Sequence, residues 1–171
     1  MSNLRQRANK AKKFRCKNLI AVLENPKTLE NIGSAVRNVD ALGVHKLYVV
    51  DGYNLLPSDW HTMRERKALN SISVSAIKWA FVKRYPDTES CLRYLKSKNF
   101  VSVVTSPHVK GKTNVLLEDA KFTQKRVAVW FGNESRGVSD QAVESAEEGK
   151  GQCSDKVWMA AAIAEDTDEL N

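Results

Sequence analysis

The sequence predicts an α/β protein, a mostly parallel sheet flanked by helices. Three observations carry that prediction. Short apolar runs, each the length of a buried strand, recur along the 171 residues. Amphipathic stretches at helical spacing separate them, the alternation expected when helices cross between parallel strands. Each apolar run also ends abruptly in polar residues or glycine: Glu24-Asn25, Asp51-Gly52, Thr105-Ser106 and Gly132-Asn133-Glu134. In a parallel sheet those ends lie along one edge, so the chain assembles a polar crevice there.

Taken in order, Asn18 to Glu24 is a buried strand, and Pro26 turns the chain after it. Asn31 to Leu42 repeats Ile32, Ala35, Val36, Val39 and Leu42 at helical spacing, with Gly43 as its carboxyl cap. Lys46 to Val50 is a second strand. Asn54 to Lys67 is polar and aromatic, with a short helix after Ser58. Ile72 to Tyr85 is ambiguous, and Lys78 to Val82 is its strand candidate. Asp87 or Thr88 caps a helix that runs to Lys98 and carries Cys91, Leu92 and Leu95. Phe100 to Val104 is a strand and Lys110 to Thr113 a loop. Val127 to Phe131 is a strand, and Ser139 to Glu148 a helix with Asp140 near its positive end. Val157 to Ala164 has the small residues of a further helix.

Length and a 42% hydrophobic share suit one globular domain, and no apolar run approaches a membrane span. Residues 1–17 are polar and basic without an apolar centre, so a secretory signal is not expected and a cytoplasmic location is. Cys16, Cys91 and Cys153 are widely spaced and read as reduced thiols. His45, His61 and His108 are scattered, so no metal site is expected. No Gly-x-Gly-x-x-Gly follows a strand, and neither a Walker loop nor a serine elbow occurs.

Net charge is +7, and the first 17 residues hold seven basic residues and no acid, leaving the rest near neutral. Arg5, Arg7, Lys10, Lys12, Lys13 and Arg15 thus form an arm suited to a phosphate backbone; the alternative is a solvated tail. The chain divides into this arm (1–17), one α/β domain (18–164) and an acidic tail (165–171). Trp60, Trp79 and Trp130 read as core or interface rather than stacking platforms. Arg64, Arg66 and Lys67 either extend the basic surface or form a solvated helix face.

The richest stretch runs from Trp130 to Ser139, where an apolar strand enters Gly-Asn-Glu-Ser-Arg-Gly before a helix start. A second element, about a hundred residues earlier, is Asn31-Ile32-Gly33-Ser34-Ala35-Val36-Arg37-Asn38. As a pair they resemble the first two motifs of the SpoU-type RNA ribose 2′-O-methyltransferases of the SPOUT superfamily. The resemblance covers about Asn18 to Glu148. It implies a sheet completed by a C-terminal trefoil knot, a homodimer with sites at its interface, S-adenosylmethionine as donor, and a tRNA or rRNA ribose as acceptor.

Carried over residue by residue, Arg37 matches the arginine held to assist deprotonation of the ribose hydroxyl. Arginine is effectively always protonated, so orienting ribose and phosphate is its better-founded role. The alternative is a helix-surface pair with Glu30 or Asp40. Asn31 and Glu134 match polar positions lining the site; Glu134 would neutralise an arginine, or else pair locally with Arg136. Thr105, Ser106 and Pro107 resemble the loop that touches the donor. Gly132 and Asn133 fall on the donor side, Gly132 permitting close backbone approach. The family's third motif, with Ile-Pro-Met and Ser-Leu-Asn, has no match between Gly149 and Lys156; Ser154-Asp155-Lys156 stands in its place. That departure supplies the alternative reading, a non-catalytic RNA-binding protein of the same fold with a defective donor pocket.

Overall fold

A computed structural model describes residues 10, 12–105, 115–116, 126–133, 135–148 and 159–160. The strands are β1 (Cys16–Glu24), β2 (Val44–Val50), β3 (Phe81–Tyr85), β4 (Val101–Val104), β5 (Val115–Leu116), β6 (Val127–Phe131) and β7 (Met159–Ala160). The helices are α1 (Leu29–Ala41), α2 (Trp60–Glu65), α3 (Lys67–Ile72), α4 (Thr88–Ser97) and α5 (Asp140–Glu148). Five strands form one all-parallel sheet in the order β3-β2-β1-β6-β4. β5 and β7 pair separately, also in parallel.

The apolar runs lack strict alternation because both sheet faces are covered. Ile20 and Val22 of β1, with Tyr48 and Val50 of β2, face a core shared with Cys91, Leu95, Trp130 and Ala142. Leu47 and Val49 face the opposite core, built by Ile32, Val36 and Val39 of α1 with Met63, Leu69 and Ile77. Successive side chains of a strand point to opposite faces, so one run feeds two cores.

Several boundaries differ from the sequence reading. α1 starts at Leu29 because Thr28, in extended backbone, caps it by accepting from the Asn31 amide. Leu42, expected in the core, is the carboxyl cap residue and is exposed. Gly43 follows at φ +70°, where glycine carries no Cβ penalty. The strand expected over Lys78 to Val82 is displaced. Left-handed backbone at Val74 and Ser75 turns the chain into a 3-10 turn, Ala76–Lys78, and pairing with β2 begins only at Phe81. Asp87, not Thr88, caps α4 by accepting from the Ser90 amide at 2.7 Å. The helix expected from Val157 to Ala164 is contradicted at Met159–Ala160, which pair with Val115–Leu116; ladder bonds there override alanine's helix propensity. The loop at 110–113, the acidic tail and the expected knot lie outside the described residues.

Candidate active site

From β1 the chain runs outward through β2 to β3, whereas β6 and β4 lie on β1's other side. The crevice at the carboxyl ends of β1 and β6 is therefore the topological switch point of the sheet, the usual ligand site of open α/β folds. Leu23 pairs with Phe131, so the two strands finish side by side. The loop that leaves β6 carries one motif element, and the loop that leaves β1 leads into α1, which carries the other.

These loops are bonded to each other. Asn133, 8% exposed, donates from Nδ2 to the Asn25 carbonyl at 3.1 Å. Its Oδ1 accepts from the amides of Ser135 and Arg136 at 3.1 and 2.8 Å. Asn133 and Gly137 exchange backbone bonds of 3.2 and 2.9 Å, closing the loop on itself. Asn25, at φ 49°, accepts from the Gly52 amide through Oδ1 at 3.2 Å, which ties in the loop after β2. Lys27 Nζ bonds Ser135 Oγ.

Gly132 has a different reason from the one expected. A Cβ there would stand 1.9 Å from the Gly137 carbonyl carbon, so the close approach it permits is to its own loop. Asn133 likewise directs its side-chain atoms at backbone of the rim. Thr105 donates from Oγ1 to the Trp130 carbonyl at 2.8 Å and so fastens the exit of β4 to β6. Ser106, Pro107 and Glu134 lie outside the described residues.

Two carboxylates missed as functional candidates hold this edge together. Glu24, 1% exposed, accepts from the Ser139 amide through Oε2 at 2.7 Å. Its Oε1 accepts from Ser139 Oγ at 2.7 Å and from Thr88 Oγ1. Both partners stand at helix amino ends, where the backbone favours negative charge. Fully buried Asp51 accepts from the Leu55 and Leu56 amides at 2.9 and 2.8 Å and from Arg84 Nε at 3.0 Å. The sequence signal was an acid closing an apolar strand, a place where solvation is lost and donors must replace it. Burial, with the nearby Glu24 carboxylate second, pushes the Cys91 thiol up to about 12, which keeps it protonated and inert. Burial also raises the hydroxyls of Tyr48 and Tyr85.

Helix α1 carries the other motif. Asn31 lies in its first turn, at the crevice, and its amide donates to Thr28 Oγ1 at 3.3 Å. Arg37 is exposed and lies about 9 Å further along the axis, about 120° around from Asn31. Among the described residues it has no ion pair: Asp40, one of its expected partners, is held by Arg15. Asn31 thus stands at the end of α1 next to the exit of β1, and Arg37 about two turns further on. Gly33 serves helix packing, since a Cβ would stand 2.4 Å from Ile72 Cγ2 of α3.

The arm residues separate in the same way. Lys10 and Lys13 are exposed. Arg15 is folded onto the domain: it pairs with Asp40, bonds the Val44 carbonyl at 3.3 Å and keeps 11% of its side chain exposed. Arg5, Arg7 and the Lys12 side chain lie outside the described residues. Arg64 donates to the Lys78 carbonyl at 3.0 Å and Arg66 to that of Leu55, while Lys67 is exposed. Trp130 is fully buried, and Trp60 packs on Phe81 with ring centroids 5.4 Å apart. Among the described residues, no helix is long and apolar enough to cross a membrane and no His/Cys/Asp/Glu group could hold a metal ion.

Comparison with known proteins meets this geometry. A sequence model described as the SpoU rRNA methylase family matches residues 18–149 and ends where the third motif departs. A tRNA (guanosine(18)-2'-O)-methyltransferase of Thermus thermophilus is 28% identical over 143 residues, 84% of this chain and 66% of the relative. Its Aquifex aeolicus namesake is 30% identical over 134 residues, 78% of this chain and 57% of that one. The chain thus spans less than two thirds of the length of the curated relatives it matches. Among solved structures, an A. aeolicus TrmH/SpoU tRNA modifying enzyme superposes with TM-score 0.63 at 25% identity, covering 82% of this chain and 66% of that one. The SpoU methyltransferase AviRb of Streptomyces viridochromogenes, in complex with AdoMet, gives TM-score 0.61 at 22% identity, covering 92% and 53%. The sheet order, the two motif elements next to its switch point and the match over most of the chain agree: the protein belongs to the SpoU rRNA methylase family, with the SPOUT methyltransferase fold.

Proposed function

We propose that this chain transfers a methyl group from S-adenosylmethionine to a ribose 2′-hydroxyl of tRNA or rRNA, as a homodimer. The observation that carries the reading is the meeting of the Asn25 and Gly132–Ser139 loops at the switch point, in a member of this family. The bound donor would supply a methyl carbon made electrophilic by its sulfonium. The rim fits such a group: its loops are already bonded together, and Phe131 and Tyr53, 42% and 50% exposed at strand ends, offer aromatic surface to a flat base. Thr105 to Pro107 and the Gly132-Asn133 backbone would flank the donor, and Asn31 would face the acceptor.

Arg37 supplies the positive charge that orients the ribose and its phosphate. Since it lies about 9 Å along α1 beyond Asn31, it acts in the site of a second copy. The donor would supply its methyl group to the acceptor oxygen at the expense of its own sulfur–carbon bond, and the hydroxyl proton would leave to solvent. The segment that motivated the non-catalytic reading lies outside the described residues, and no observation favours that reading. Arg37→Ala is expected to abolish methyl incorporation into bulk tRNA and rRNA from labelled donor while leaving the thermal midpoint unchanged, because Arg37 is exposed. Unchanged turnover would refute the role.

A further inference from the structure

Glu24 is a buried carboxylate to which the mechanism above assigns no task. Its donors come from two elements distant in sequence: Thr88, the first residue of α4, and Ser139, just before α5. Ser139 also closes the Gly132–Ser139 loop. The near end of that loop is held by Asn133 to Asn25, the residue next to Glu24. The loop is therefore pinned at both ends onto two consecutive residues of β1's exit. Of Glu24's three donors, the Ser139 amide can only donate, so the Oε2 position must be an acceptor.

We infer that Glu24 is a positioning residue for the donor side of the site: its carboxylate sets where the Gly132–Ser139 loop stands relative to β1, and through it the affinity for the donor. The inference rests on the methyltransferase reading. Glu24→Gln keeps volume and packing but replaces one acceptor by an NH2 group. In one orientation that group opposes the Ser139 amide. In the other it faces two hydroxyls, and Ser139 Oγ already accepts from the Ala142 amide at 3.3 Å.

The test titrates S-adenosylhomocysteine into wild type, Glu24→Gln, Ser139→Ala and Leu95→Ala, with hydrogen exchange of the 135–139 amides measured in the free proteins. Leu95 lies in the same core but makes none of the Glu24 bonds, so it reports destabilisation alone. Glu24→Gln is expected to raise the Kd by about tenfold or more and to speed exchange in the loop. Ser139→Ala, which keeps the carboxylate and so guards against a misfolded Glu24 variant, should do the same to a smaller degree. Its effect should be less than additive with Glu24→Gln. Leu95→Ala should lower the thermal midpoint at least as much yet leave Kd within about twofold. Binding by wild type with unchanged Kd in Glu24→Gln overturns the inference, as does an equal loss in Leu95→Ala. If wild type itself does not bind, the donor reading fails instead. The exchange data then decide the loop, equal exchange in wild type and Glu24→Gln overturning its positioning by the carboxylate.

Discussion

Gly132→Ala separates the loop's own packing from any ligand role for this glycine. The new Cβ would stand 1.9 Å from the Gly137 carbonyl carbon, 2.1 Å from its oxygen and 2.3 Å from the Val138 nitrogen. Ordinary carbon contacts begin at about 3.5 Å, so the facing backbone must withdraw by more than about 1 Å. All three atoms are backbone, and no rotamer change relieves the overlap. Such a withdrawal breaks the paired bonds between Asn133 and Gly137, 3.2 and 2.9 Å long. Two backbone bonds at a net of about 0.5–1.5 kcal/mol each, with about 1–3 kcal/mol of overpacking strain, sum to roughly 2–6 kcal/mol. For a chain of this size that lowers the melting midpoint by about 4–24 °C. Urea unfolding followed by tryptophan fluorescence measures it, since Trp130 is fully buried on the strand that precedes the loop. A midpoint unchanged from wild type, with only donor affinity lost, would refute the reasoning and restore the ligand as the reason for glycine.

Gly33→Ala should destabilise by about 1–2 kcal/mol despite alanine's better helix propensity, because its Cβ meets Ile72. Adding Ile72→Ala should recover part of that loss in a denaturation cycle, and strict additivity would refute the contact. Cys91 rises from an ordinary 9.0 to about 12 in the fold, so the native state keeps a proton the unfolded chain gives up. Stability should be intact below pH 9 and fall towards pH 12 by about 1.4 kcal/mol per pH unit, with Tyr48 and Tyr85 adding to the loss above pH 10. Cys91→Ala should flatten the first part of that decline in melting curves taken against pH. Reversing exposed Lys10 and Lys13 to glutamate should weaken RNA binding and reduce the salt slope by about two, whereas an unchanged slope would remove the arm from the interface.

Local pattern is what the chain carries openly. Strands β1, β2, β4 and β6, helices α1, α4 and α5, and the polar carboxyl edge could all be read because each depends on periodicity or end chemistry within a few residues. The capping threonine and the shift at Phe81 were missed at the boundaries, where one side-chain bond or one left-handed residue decides. The candidate site was half legible. Its location followed from where polar residues end the strands, and its members from the two motifs.

What those members do there was decided by tertiary structure. Gly132 is glycine because of Gly137, Asn133 spends its amide on Asn25, and Arg15 turns from solvent to Asp40. Glu24 looked like the polar end of a strand until Ser139 arrived from 115 residues away. The sequence by itself determined which segments become strands and helices and which edge of the sheet would be polar, because these follow from spacing along the chain. Only the tertiary structure decided which polar groups satisfy one another and which are left to a ligand, because burying a donor or acceptor demands a partner that the fold alone brings within reach.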